Sequence, residues 1–199
     1  HYSGHSIFTA EVASTANEWL MLDYLYKQAK TKEEKFRLLI EQIEQIRGTL
    51  YTQVMYSEFE RVIHDKVRQG GSLTADELNH LWLELLKTYY GPAYAADPGA
   101  ARGWLRIPHF YDAFYVYKYA TSLAASYAIV SDIKADKSGE ALKRYKQFLR
   151  SGTSDDPLRL LKRAGVDMTS SEPVERVLRH FAKLVDELDK QLKAQKTQP

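Results

Sequence analysis

The chain has no cysteine. This absence excludes disulfides and thiolate chemistry, and it suits a reducing cytoplasm, where the protein is expected to reside. No apolar run reaches the roughly 18 to 20 residues that span a bilayer, and nothing at the start resembles a signal peptide, so no membrane partner is expected. An excess of one charge is also missing. The 28 Lys and Arg against 26 Asp and Glu are spread along 199 residues and leave a net +2, which gives no electrostatic case for nucleic acid. Strand alternation, internal repeats and low-complexity tracts are absent. What is present is 44% apolar and 12% aromatic content, enough for one sizeable core within one or two domains.

The apolar spacing is helical nearly throughout. One helix is expected from Ile7 to about Lys30, followed by a capping box at Thr31-Lys32-Glu33-Glu34. From Phe36 to Val67 the positions Leu39, Ile40, Ile43, Ile46, Leu50, Val54, Phe59, Val62 and Ile63 keep helical spacing, with Gly48 as a break or close-packing point and Gly70-Gly71 as the stop. A second capping box, Thr74-Ala75-Asp76-Glu77, opens a helix to Tyr90, which Gly91-Pro92 ends. Residues 91–108 hold Pro92, Pro98 and Pro108 and read as a loop long enough to suspect a function. Further helices are expected at Tyr111 to Ala135, 138–150, 157–164 after Asp156-Pro157, and 173–194, with a frayed tail over 195–199. The chain therefore reads as a single all-α piece over 1–199.

Two segments carry chemistry. In Phe8-Thr9-Ala10-Glu11-Val12-Ala13-Ser14-Thr15-Ala16-Asn17-Glu18, two acids stand seven residues apart, so both fall on one helical face. Apolar neighbours Ile7, Phe8, Val12, Trp19, Leu20 and Leu22 place them in a largely buried segment, where a carboxylate needs a cation or a hydrogen-bond donor. Spacing alone equally fits an amphipathic helix whose acids reach solvent. The second segment is His109-Phe110-Tyr111-Asp112-Ala113-Phe114-Tyr115-Val116-Tyr117-Lys118-Tyr119. Tyr111, Tyr115 and Tyr119 repeat every four residues and share a face if helical. Such tyrosines pack well in a core, and Tyr and His are also neutral donors able to stabilise an oxyanion.

The string from Ser6 to Glu18 resembles the segment that follows the zinc-binding H-E-x-G-H helix of the oligoendopeptidase F family, relatives of thimet oligopeptidase. Three more stretches resemble that family: Arg47-Gly48-Thr49 through Glu58-Phe59-Glu60, Arg106-Ile107-Pro108-His109-Phe110-Tyr111 through Tyr119-Ala120-Thr121, and Ser151-Gly152 through Glu172-Pro173-Val174-Glu175. The resemblance implies a zincin catalytic domain acting on oligopeptides. It makes Glu11 the third zinc ligand. Glu18, on one face with Glu11, is then a candidate acceptor that orients a metal-binding imidazole through its ring N–H. The resemblance gives His109, Tyr111 and Tyr119, with Tyr115 in reserve, the oxyanion and substrate contacts.

The family's two zinc-binding His and its catalytic Glu lie on an earlier helix. His1-Tyr2-Ser3-Gly4-His5 imitates that motif, but Tyr2 stands where a general base needs a carboxylate, and His5 is too close to Glu11 for a turn and a second helix to intervene. The expectation is that this is the C-terminal part of a longer zinc peptidase. Its partners would be an oligopeptide substrate and the remaining N-terminal part, and alone it would be inactive. A non-enzymatic helical interaction module is the alternative. His64, His80 and His180 read as surface or packing residues, and Met55 and Phe59 as core.

Overall fold

The structure is a computed structural model that describes residues 4, 6–97 and 99–196. The described residues are helical with no strand. The eight α-helices are α1 (Ile7–Gln28), α2 (Lys32–Ile46), α3 (Thr52–Arg68), α4 (Ala75–Tyr90), α5 (Tyr117–Ala135), α6 (Glu140–Ser151), α7 (Pro157–Ala164) and α8 (Glu172–Lys196). They fall into two compact units, one of residues 1–47 with 121–199 and one of residues 48–120.

The first unit is built by α1, α2, most of α5 and α6 to α8. Local chemistry sets its helix ends. The Thr31 hydroxyl accepts from Glu34 N while Glu34 Oε2 accepts from Thr31 N and from Lys30 N, satisfying three amides at the start of α2. Asp156 Oδ1 accepts from Leu158 N and Arg159 N, and Pro157 occupies the first turn of α7, where no amide hydrogen is needed. Asp136 Oδ2 accepts from Ala141 N ahead of α6, and this bond, with two from Ser138, holds its carboxyl down to about 2. Helices α1 and α5 are apolar on most sides and supply the centre of the core: Val12, Ala16 and Trp19 from one, Leu123, Ala124, Ala125 and Ile129 from the other. Burying one Leu or Ile fully contributes about 1.5–3 kcal/mol, so the α5 stripe is a major part of this unit's stability.

The second unit holds α3, α4 and the irregular segment that leads into α5. Between α2 and α3 the chain widens into a π-turn over Arg47–Tyr51, at the Gly48 position expected to interrupt the helical run. Met55, Phe59, Trp82, Leu85 and Leu86 form the core here. The 91–108 stretch departs from the loop expected. Ala100–Arg106 is a 3-10 helix, because Trp104 donates its indole N–H to Asn79 Oδ1 at 3.0 Å and packs, with Ala100 and Ile107, on that core. A second correction concerns α5. It starts at Tyr117 rather than Tyr111: Pro108–Tyr111 is another 3-10 turn, and Phe114 takes a positive φ of 58° that no α-helix accommodates. At the other end, Gln195 and Lys196, assigned to a tail, continue α8, while 197–199 lie outside the described residues.

Candidate functional site

Glu11 lies in the second turn of α1. It is half-buried, and its Oε2 accepts a 2.9 Å hydrogen bond from the exposed Ser14 hydroxyl one turn on. The short-range partner fixes the carboxylate's orientation without neutralising it. Thr15 lies buried in the same helix and donates to the Glu11 carbonyl, which secures the backbone beneath the acid. Glu18, two turns further, is exposed and accepts from Gln45 Nε2 of α2 at 2.8 Å. A catalytic zinc takes three protein ligands. Among the described residues no three His, Asp or Glu gather as a metal-ligating set. His1, Tyr2 and His5, whose spacing imitates a zinc motif, lie outside the described residues.

In the second unit His109, Tyr115 and Tyr119 come together. The His109 ring stacks on Tyr115 with centroids 5.4 Å apart, and it meets Tyr119 edge to face at 5.8 Å. Tyr115 and Tyr119 meet edge to face at 5.6 Å. The Tyr119 hydroxyl and His109 Nε2 stand 3.4 Å apart, with the imidazole tautomer deciding which donates. His109 is exposed and both tyrosines are half-buried, so the trio has an apolar base and a solvent-facing polar edge. Lys118 brings its ammonium to 5.4 Å from the Tyr115 ring centroid, adding a cation beside these neutral donors.

Tyr111 does not join the trio. It sits in the 3-10 turn at 95% exposure, away from any shared helical face, because the four-residue repeat applies only from Tyr117 onward. Asp112 is exposed, so its charge points to water rather than into the aromatic stack. Among the other histidines, His64 and His80 are exposed, and His180 is packed against Tyr127 and Trp19.

Two acids of α3, Glu58 and Glu60, stand in a family-like stretch of the sequence that gave them no role. Glu58 accepts from the Tyr89 hydroxyl at 2.8 Å, and burial together with that carboxylate pushes the phenol up to about 12. Glu60 is buried, 2% exposed, and accepts from the Phe114 amide at 2.6 Å. The available signal was positional. Glu60 lies between Tyr56 and Ile63, i−4 and i+3, and both of these pack on the core.

Comparison with known proteins gives a consistent result. Residues 1–180 match peptidase family M3. The chain is 42% identical over 192 residues to the oligopeptidase PepF of Bacillus subtilis, covering 96% of this chain and 28% of that protein. It is 37% identical to the plasmid-encoded oligoendopeptidase F of Lactococcus lactis subsp. cremoris, over 95% of this chain and 31% of that one. The crystal structure of oligoendopeptidase-F from Enterococcus faecium superposes with a TM-score of 0.87 at 34% identity, over 95% of this chain and 36% of that chain. A putative peptidase from Chlamydophila abortus gives 0.86 at 38% identity, over 96% and 32%. The chain thus spans about three tenths of the length of these curated relatives.

Proposed function

This chain belongs to peptidase family M3, and on that premise we propose that it is one part of a zinc metalloendopeptidase that hydrolyses oligopeptides. The observation that carries the reading is the His109–Tyr115–Tyr119 cluster, a set of neutral donors within a chain that matches the family over 180 residues. The same match favours a peptidase over a helical interaction module. The enzyme's site of action would be the cytoplasm, in keeping with the lack of cysteine.

Glu11 would supply one zinc ligand, its second oxygen held by Ser14. The two imidazole ligands and the general base would come from the remaining part of the enzyme. Glu18 would accept a ring N–H from one of those imidazoles, exchanging its present Gln45 donor for a stronger, charge-assisted bond. Bound zinc supplies a Lewis acid for the scissile carbonyl and lowers the pKa of an attacking water.

This chain's own contribution to the reaction is the stabilisation of charge. As water adds to the carbonyl carbon, negative charge develops on the carbonyl oxygen, and an N–H of His109 and the O–H of Tyr119 would donate to it. Neither group adds an anion beside the metal. Tyr115 would hold the imidazole plane by stacking. Tyr111, exposed at the rim of the same turn, would contact the substrate backbone rather than the reacting oxygen.

The test is a pair of substitutions in the complete peptidase. Glu11→Gln should lose zinc and activity together. Tyr119→Phe should keep its zinc and lose roughly 100- to 1000-fold in kcat, the range for removal of an oxyanion donor. Wild-type turnover by Tyr119→Phe would refute the assignment.

A further inference from the structure

The His109–Tyr115 stack requires the chain to fold back on itself within six residues. Two turns accomplish this: Asp112 N donates to His109 O, and Tyr115 N donates to Asp112 O, each at 3.1 Å. Within the second, Phe114 adopts φ 58°, a left-handed conformation disfavoured for any residue with a Cβ and especially for a bulky aromatic one. Such a conformation persists only where its surroundings hold it in place. The Phe114 ring is 48% exposed and touches His64 with centroids 4.7 Å apart, a weak anchor at the surface. Its amide, in contrast, donates at 2.6 Å to Glu60, a carboxylate that is almost fully buried.

We infer that Glu60 is a positioning residue for the His109–Tyr115–Tyr119 cluster: its buried carboxylate captures the Phe114 amide, holds the left-handed turn, and so sets the imidazole on the tyrosines. The carboxylate is a rigid post. Its predecessor Phe59 is 1% exposed, and its neighbours one turn away, Tyr56 and Ile63, pack on the same core as Phe59 and Trp82. The segment is pinned on both sides of the turn. The Phe110 ring, directly after His109, lies 5.4 Å from that of Phe59, and the Phe114 amide, directly before Tyr115, is bound by Glu60. A buried carboxyl oxygen needs a donor, and an amide outside any helix needs an acceptor, so the two groups stabilise each other.

The catalytic consequence rests on the function proposed above, whereas the positioning does not, and the experiment separates them. In the 199-residue chain, Phe114 N–H should exchange slowly with solvent although its side chain is exposed, and an unprotected amide would overturn the inference. Glu60→Gln keeps an acceptor oxygen and should leave the His109 and Tyr115 proton resonances where they are. Glu60→Met removes the acceptor and should move both, while Trp19 and His180 resonances in the other unit stay fixed. Unmoved His109 and Tyr115 resonances in Glu60→Met would refute the positioning. In the complete peptidase the same variant should lose roughly 10- to 100-fold in kcat, the scale of a misplaced reacting group, with KM and zinc content retained and with Glu60→Gln near wild type. Moved resonances with unchanged kcat would uphold the positioning and refute the oxyanion role of the cluster.

Discussion

His180 should make the chain acid-sensitive in a window where few other groups titrate. It lies on α8 with its ring stacked on Tyr127, centroids 4.8 Å apart, and edge-on to Trp19 at 5.9 Å. Burial, reinforced by the Lys134 and Lys183 cations, pushes its imidazole from the ordinary 6.5 down to about 4. In the unfolded chain the ring takes its proton near pH 6.5, in the folded chain only near pH 4. Between these values the unfolded state binds more protons, so stability falls as the pH falls; the full contribution is present above 6.5, and below 4 nothing further is lost. The gap amounts to roughly 3 kcal/mol in all, of which about 2 kcal/mol is lost by pH 5. For a chain of this size that is a fall in Tm of roughly 4–8 °C beyond what other groups cause. The assay is thermal unfolding from pH 8 to pH 4.5 for wild type and His180→Phe, which keeps the aromatic contacts and cannot titrate. The difference between the two curves should be flat above pH 7 and grow below it. Parallel curves down to pH 5 would refute the reasoning, since every carboxylate common to both proteins cancels.

Two further outcomes test the second unit. Gly103→Ala would put a Cβ 2.6 Å from the indole nitrogen of Trp82, a residue with 3% exposure and no room to retreat, and urea denaturation should show a loss of about 1–3 kcal/mol. Thr74→Ala removes the hydroxyl that accepts from Glu77 N at the start of α4. It should cost about 1 kcal/mol by the same method, and Thr74→Ser should restore it.

Helix ends were legible in the sequence wherever one short segment contains all the chemistry. Thr31 with Glu34, Thr74 with Glu77, and Asp156 with Pro157 each begin a helix where the sequence places it, because donor and acceptor are three residues apart or fewer. The start of α5 was not legible, because the group that interrupts it is 54 residues away: Glu60 takes an amide that a helix from Tyr111 would have used. The order in residues 100–106 was hidden for the same reason, since Trp104 finds its acceptor on α4. At the candidate site, spacing left both acids and tyrosines with ordinary structural readings, and family resemblance selected among them. The tyrosine repeat identified a cluster and misassigned its geometry. Tyr115 and Tyr119 meet across a turn, not along one helical face, and Tyr111 is left in solvent.

The placement of the three tryptophans gives each unit its own optical signal. Trp19 is buried in the first unit, against Tyr127 and His180, while Trp82 lies in the core of the second and Trp104 packs on that core. With Trp82 and Trp104 replaced by Phe, the remaining indole emission would come from the first unit alone. Replacing Trp19 instead would leave an emission that follows α3, α4 and the segment before α5. Loss of packing in one half of the chain could then be watched separately from the other, and a chain that unfolds in two steps would be distinguished from one that unfolds in a single step without any added label.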